Sequence, residues 1–140
     1  MQKLMKFMLL VKTKIGPSKI HGIGVFANQF IPKETIIWKF IPGLDLKFTE
    51  DDILKMPEEV RDFFKKYSYR SLNTGLYILC SDDSRFYNHS DDPNTRGIDL
   101  DETENEGADI TIKNIQMGEE ITYNYKDPKE GDGNWREKLS

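Results

Sequence analysis

No unbroken apolar run in this chain exceeds five residues, the length reached at 7–11 (FMLLV) and 76–80 (LYILC); elsewhere a glycine, a proline or a polar or charged residue interrupts sooner. That punctuation constrains the fold more than any other feature, because it permits only short elements. Six segments read as strands: residues 9–15 (LLVKTKI), 24–30 (GVFANQF), 35–41 (TIIWKFI), 75–80 (GLYILC), 108–115 (ADITIKNI) and 119–125 (EEITYNY). Each is rich in β-branched or aromatic residues and bounded by turn formers. One region departs from this pattern. Thr49 followed by Asp52 is an N-cap signal, and Pro57 suits the first turn of a second helix. Val60, Phe63, Phe64 and Tyr67 then fall at i, i+3, i+4 and i+7, one face of a helix. The expected fold is mainly β with a helical insert over about residues 49–67, an α+β class. At 140 residues the chain is sized for a single domain, with a short C-terminal tail over 126–140.

Composition removes several classes of function. Twenty basic and twenty-four acidic residues leave a net charge of −4, so no global basic field draws the protein onto nucleic acid, and no direct nucleic-acid binding is expected. The apolar stretch near the N-terminus is too short for a signal-peptide core or a membrane span, which predicts an intracellular, cytoplasmic protein with no membrane partner. Asn88-His89-Ser90 matches a glycosylation sequon, which has no meaning in that setting. The only cysteine is Cys80 and the only histidines are His21 and His89, so neither a disulfide framework nor a metal centre is expected. The acidic stretch 99–107 (DLDETENEG) imitates a calcium loop. It has Glu104 where that loop needs glycine and Ile110 where it needs glutamate, and it reads as a solvated loop.

Three stretches carry candidate chemistry. In residues 20–27 (IHGIGVFA), Gly22 and Gly24 flank Ile23 and could let a ligand approach the backbone; they could equally form a plain turn. Residues 85–94 (RFYNHSDDPN) offer Asn88 and His89 as donors and acceptors, followed by the turn formers Asp91 to Asn94. In residues 118–125 (GEEITYNY), Tyr123 and Tyr125 alternate and would share one strand face, as a core edge or as the wall of a polar-tipped channel.

Taken in order, HGIGVFA, RFYNHSDDPN and MGEEITYNY resemble the SET-domain family of S-adenosylmethionine-dependent protein lysine methyltransferases, in its compact stand-alone bacterial or viral form. IPKETI and IKNIQMGEEIT add two turns typical of that family, and the likeness runs from about residue 9 to 125.

The resemblance implies a β-clip of small curved sheets with a knot-like threading of the C-terminal part. It implies that S-adenosylmethionine lies against His21, Gly22, Ile23 and Gly24 and is held by Asn88 and His89, with Arg85 and Phe86 supporting that loop. Tyr125 takes the place of the family's tyrosine beside the transferring methyl, and Trp135 could fold over the cofactor. Tyr67 or Tyr69 would line the substrate channel, and Tyr123 occupies the position of a phenylalanine/tyrosine switch, implying mono- or dimethylation. The implied partner is a protein or peptide carrying a lysine, with a homodimer as one way to complete the substrate groove. Trp38-Lys39 stands where many members have Glu-Tyr, and Asn124 where aspartate is frequent. Two other readings fit parts of the chain: a catalytically silent SET-like peptide-binding module, and a small-molecule-binding β protein.

Overall fold

The computed structural model describes residues 9–71, 73–100, 106–126 and 134–140, without the side chains of Asn134 and Trp135. Three small sheets carry the architecture. In the first, β1 (Thr13–Pro17) and β2 (Ile23–Ala27) form an antiparallel hairpin, with Thr13 opposite Ala27 and Pro17 opposite Ile23. The turn between them closes through Ser18 N–H donating to Gly22 O, and it needs positive φ (46°) at Gly22, which a glycine adopts without a Cβ penalty. The second sheet orders β3 (Ile36–Lys39), β9 (Ala108–Thr111) and β8 (Thr95–Ile98). The third orders β4 (Leu46–Phe48), β6 (Tyr77–Leu79) and β5 (Ser68–Arg70).

The helical insert forms where the periodicity placed it, as α1 (Glu50–Leu54) and α2 (Glu58–Tyr67). Thr49 and Asp52 make the full capping box of α1, while Pro57 is the N-cap residue of α2 rather than part of its first turn. Of the apolar stripe on α2 only Phe64 is fully buried; it packs with Ile53, Tyr77 and Leu139 in a small second core. Leu139 belongs to a C-terminal 3-10 turn (Asn134–Leu139), so the end of the chain closes back onto the helices. The main core gathers Val25, Ile31, Ile37, Trp38, Ile78, Tyr87 and Ile121 from all three sheets.

The threading lies in the first sheet. Its last strand, β10 (Glu120–Tyr123), pairs antiparallel with β2 and parallel with the two-residue β7 (Asn88–His89), so that Thr122 faces Asn88 and Tyr123 faces His89. The chain leaving β7 then wraps back over β10. Asn94 accepts from Thr122 N–H (2.9 Å) and donates to Glu120 O (2.8 Å), while the Thr95 hydroxyl donates to Thr122 O (2.7 Å). Asn94, Thr95 and Thr122 are all buried, and these bonds satisfy groups that burial would otherwise penalise. Asn94 is therefore more than the turn former its Asp-Asp-Pro-Asn context suggests; it clasps the threaded strand.

Several strands are shorter than the apolar runs that announced them. Leu9 meets Trp38 only in an isolated bridge ahead of β1, and Ile115 meets Ile31 in another beyond β9. β10 stops at Tyr123, so Tyr125 does not share a strand face with it. Residues 101–105 of the acidic loop fall outside the described residues.

Candidate active site

Asn88 organises one side of the site. Its Nδ2 donates to His21 O (3.0 Å), Ile23 O (3.1 Å) and the Glu120 carboxylate (2.9 Å), fixing the glycine turn against β10. The Ser18 hydroxyl donates to the same carboxylate at 2.7 Å and itself accepts from Ile20 N–H (2.9 Å). The two glycines of this turn thus serve different ends. Gly22 bends the backbone and has open space where a Cβ would sit. A Cβ on Gly24 would lie 2.5 Å from Glu120 Oε2 and 3.1 Å from Asn88 Nδ2.

His89 organises the other side. Its Nδ1 accepts from the Tyr125 backbone N–H (3.0 Å), and its Nε2 lies 2.7 Å from Asp91 Oδ1. The first contact requires a lone pair on Nδ1, which places the ring proton on Nε2, donating to Asp91. The chain turns at Tyr125 under this hydrogen bond, and the two rings tilt together with centroids 5.6 Å apart.

Two cavities open on these residues. One, of about 510 Å³, is lined by residues 20–23, Asn88, His89, Phe86 and Tyr125. The other, of about 380 Å³, is lined by Trp38, Tyr69, Tyr123, Asp109 and the C-terminal Arg136 among others. They share a wall made of Lys66, Tyr67, Arg85, Tyr87 and Tyr125. Tyr67 therefore borders both cavities, whereas Tyr69 borders only the second, where its hydroxyl donates to Glu106 O (2.9 Å). Gly24 lines neither cavity and acts from behind the turn. The Trp135 side chain falls outside the described residues; its neighbour Arg136 holds Lys65 O (3.1 Å) and sets its guanidinium 6.0 Å from the Tyr125 ring.

The shared wall is electrostatically uneven. Desolvation pushes the Tyr125 phenol above its ordinary value; the Arg136 cation opposes this and the Glu120 carboxylate adds to it. Tyr125 is thus a neutral hydrogen-bonding phenol at physiological pH. Tyr87 is raised well above its ordinary value, first by burial and then by Asp109 and Asp82. Its hydroxyl is buried with no hydrogen-bond partner among the described residues, as is Trp38 Nε1 in the second cavity. Sequence reasoning singled out neither Tyr87 nor Glu120. The pairing of Gly24 with a β-strand was the available signal for Glu120: a glycine inside a strand marks a close approach.

In this threaded β protein the two cavities meet at a tyrosine-lined wall. The SET domain family model matches residues 22–126, and the chain belongs to that family. It is 32% identical over 115 residues to the Neurospora crassa histone-lysine N-methyltransferase set9, covering 81% of this chain and 14% of that protein. It is 31% identical over 124 residues to the Schizosaccharomyces pombe histone-lysine N-methyltransferase, H3 lysine-4 specific, covering 84% and 13%. The chain thus spans a small part of the curated relatives it matches. Among solved structures, a Plasmodium falciparum candidate histone methyltransferase aligns with TM-score 0.59 at 26% identity, over 82% of this chain and 93% of that one. The Chaetomium thermophilum Polycomb Repressive Complex 2 shares the fold, with TM-score 0.70 at 20% identity over 90% of this chain and 17% of that one.

Proposed function

We propose that the protein is an S-adenosylmethionine-dependent protein lysine N-methyltransferase. The observation that carries this reading is the wall shared by the two cavities, with Tyr125 at the point where contents of one would meet contents of the other. The cavity beside residues 20–23 has the volume of a cofactor site. Its residues suit this cofactor: Gly22 leaves open space beside its backbone, Asn88 and His89 flank the opening, and cationic side chains border it. Bound there, S-adenosylmethionine supplies an electrophilic methyl on a sulfonium. The second cavity, with Tyr69 and Tyr123 in its lining, takes the lysine side chain of a protein or peptide.

The chain's own residues then position the amine and keep it neutral. A lysine entering the second cavity is desolvated and lies near Arg136 as well as the cofactor's positive charge, three effects that lower its pKa against the opposing pull of the Asp109 carboxylate in the same lining. Holding the amine in line with the methyl supplies up to roughly 7–11 kcal/mol of barrier reduction in model systems. Tyr125, kept as a phenol, orients the amine by hydrogen bonding, and the amine's proton leaves to water. Tyr123 at the lysine end narrows the space for added methyl groups, which favours mono- and dimethylation.

The test is methyl transfer from radiolabelled S-adenosylmethionine to proteins of a cell extract, with wild type and Tyr125→Phe. Wild type is expected to label protein lysines, and the variant to lose at least 100-fold in rate while still binding cofactor in calorimetry. Cofactor binding without any labelling by wild type would favour the silent module. Absence of cofactor binding would remove the enzyme reading altogether.

A further inference from the structure

The wall between the two cavities carries a primary amine of the chain's own. Lys66, in the last turn of α2, borders both cavities, and among the described residues it is the one lysine that lines either. Its Nζ lies 5.2 Å from the centroid of the Tyr67 ring, and Tyr67 borders both cavities as well. The helix end that presents this amine is pinned. Phe64 is buried in the second core, the Ser68 hydroxyl donates to Phe64 O, and Arg136 Nε donates to Lys65 O at 3.1 Å. The backbone of Lys66 is thereby fixed at the wall, while its side chain is exposed and rides on a flexible aliphatic stem.

The neighbouring basic groups are unsuited to accept a methyl group there. Lys65 is paired with Asp62 at 3.1 Å and lines neither cavity. Arg70, Arg85 and Arg136 in the linings are guanidinium groups, which keep their protons and offer no lone pair. We propose that Lys66 is a self-modification site, methylated in cis by the chain that carries it. This rests on the reading of the first cavity as the S-adenosylmethionine site. In the step, the neutral Nζ forms a bond to the methyl carbon as the S–CH3 bond breaks. The sulfur keeps that bond's electron pair and becomes a neutral thioether, and the amine's extra proton passes to water. An acceptor tethered at the wall needs no binding equilibrium, so its reaction is unimolecular. Methylation keeps the charge, and a methylated ammonium is well matched to an aromatic face, so the product stays against Tyr67.

The test incubates the purified chain, with no other protein, with S-adenosylmethionine carrying a deuterated methyl, and maps the label by peptide mass spectrometry. Label is expected on Lys66 and not on Lys65, at a first-order rate unchanged when the protein is diluted. Lys66→Arg should lose this label and Lys65→Arg should keep it. A second measurement needs no turnover. S-adenosylhomocysteine, the demethylated cofactor, should protect Lys66 from acetylation by acetic anhydride and leave Lys65 as reactive as before, with its binding followed by calorimetry. Equal acetylation of Lys66 in the free and bound chain overturns the proposal. So does label confined to other lysines, or a rate constant that falls on dilution, which would show one copy modifying another. An unlabelled Lys66 also overturns it. If such a chain still labels proteins of a cell extract, the transferase reading stands; if it labels nothing or binds no S-adenosylhomocysteine, that reading falls too.

Discussion

The substitution Gly24→Ala tests how the glycine turn is held. Gly24 lies in β2 with ordinary strand backbone, so the added methyl meets no conformational penalty and acts by contact alone. Built on the backbone, the Cβ falls 2.5 Å from Glu120 Oε2 and 2.9 Å from Glu120 Cδ. Carbon and oxygen cannot approach so closely, and the carboxylate has to swing away. It is not a free side-chain end: Asn88 Nδ2 holds it at 2.9 Å and Ser18 Oγ at 2.7 Å. Charge-assisted hydrogen bonds contribute about 1.5–3 kcal/mol each, and a displaced carboxylate recovers part of this from water, so the loss should be about 2–4 kcal/mol. In a domain of this size that corresponds to a fall in Tm of roughly 10 °C, read by circular dichroism. The discriminating measurement repeats the substitution on a Glu120→Ala background. Removing Glu120 costs Asn88 little, because its two amide protons still have His21 O and Ile23 O to serve. With the Glu120 obstruction gone and only the 3.1 Å approach to Asn88 Nδ2 left, Gly24→Ala should cost at least about 1 kcal/mol less than in the wild-type background, a coupling above about 1 kcal/mol in the double-mutant cycle. An identical loss in both backgrounds would refute the contact argument.

Two further outcomes are expected. On the proposed function, Tyr123→Phe, by enlarging the second cavity, should shift the products toward higher methylation in mass spectrometry; an unchanged product distribution would exclude Tyr123 as the limiting group. Asp45, buried against the 41–45 turn with Ile41 N–H bonded to its Oδ2, is pushed from 3.8 to about 6, chiefly by desolvation with Asp82 adding to it. The fold therefore favours the protonated form. Stability is greatest below about pH 4 as far as this group is concerned, and it falls as pH rises through about 6, by at most about 3 kcal/mol. Asp45→Asn should flatten that part of the urea-denaturation profile and raise stability at pH 7.5, and an undiminished slope would show that another group carries it.

Much of the fold was legible because its signals are local. Glycine and proline mark strand ends through backbone geometry, and the α2 stripe and the Thr49–Asp52 cap lie within a few residues of one another. What stayed hidden depends on contacts far apart in the chain. Nothing in GEEITYNY says that its second acid, Glu120, reaches Ser18, with a sequence separation of 102, or that Asn94 closes over Thr122. Both residues look polar and unremarkable until β10 is inserted between β2 and β7; only then is Asn94 buried and Glu120 shared between Ser18 and Asn88.

The same insertion explains why the order of the three motifs carried information that none carried alone. Parallel pairing of β7 with β10 sets His89 opposite Tyr123, so the chain leaving the strand passes the imidazole two residues later. There the Tyr125 N–H finds His89 Nδ1 at 3.0 Å, which turns the chain and brings the phenol into the wall between the cavities. Strand alternation had implied a common face for Tyr123 and Tyr125; the strand ends before it can provide one. A single backbone-to-imidazole hydrogen bond does so instead, and it exists only because Asn88-His89 is a strand partner of Thr122-Tyr123. Its acceptor is a lone pair on Nδ1, so the placement of Tyr125 depends on an imidazole that is not doubly protonated. The geometry of the wall between the cavities is in this way tied to the residue beside the one that fastens the glycine turn.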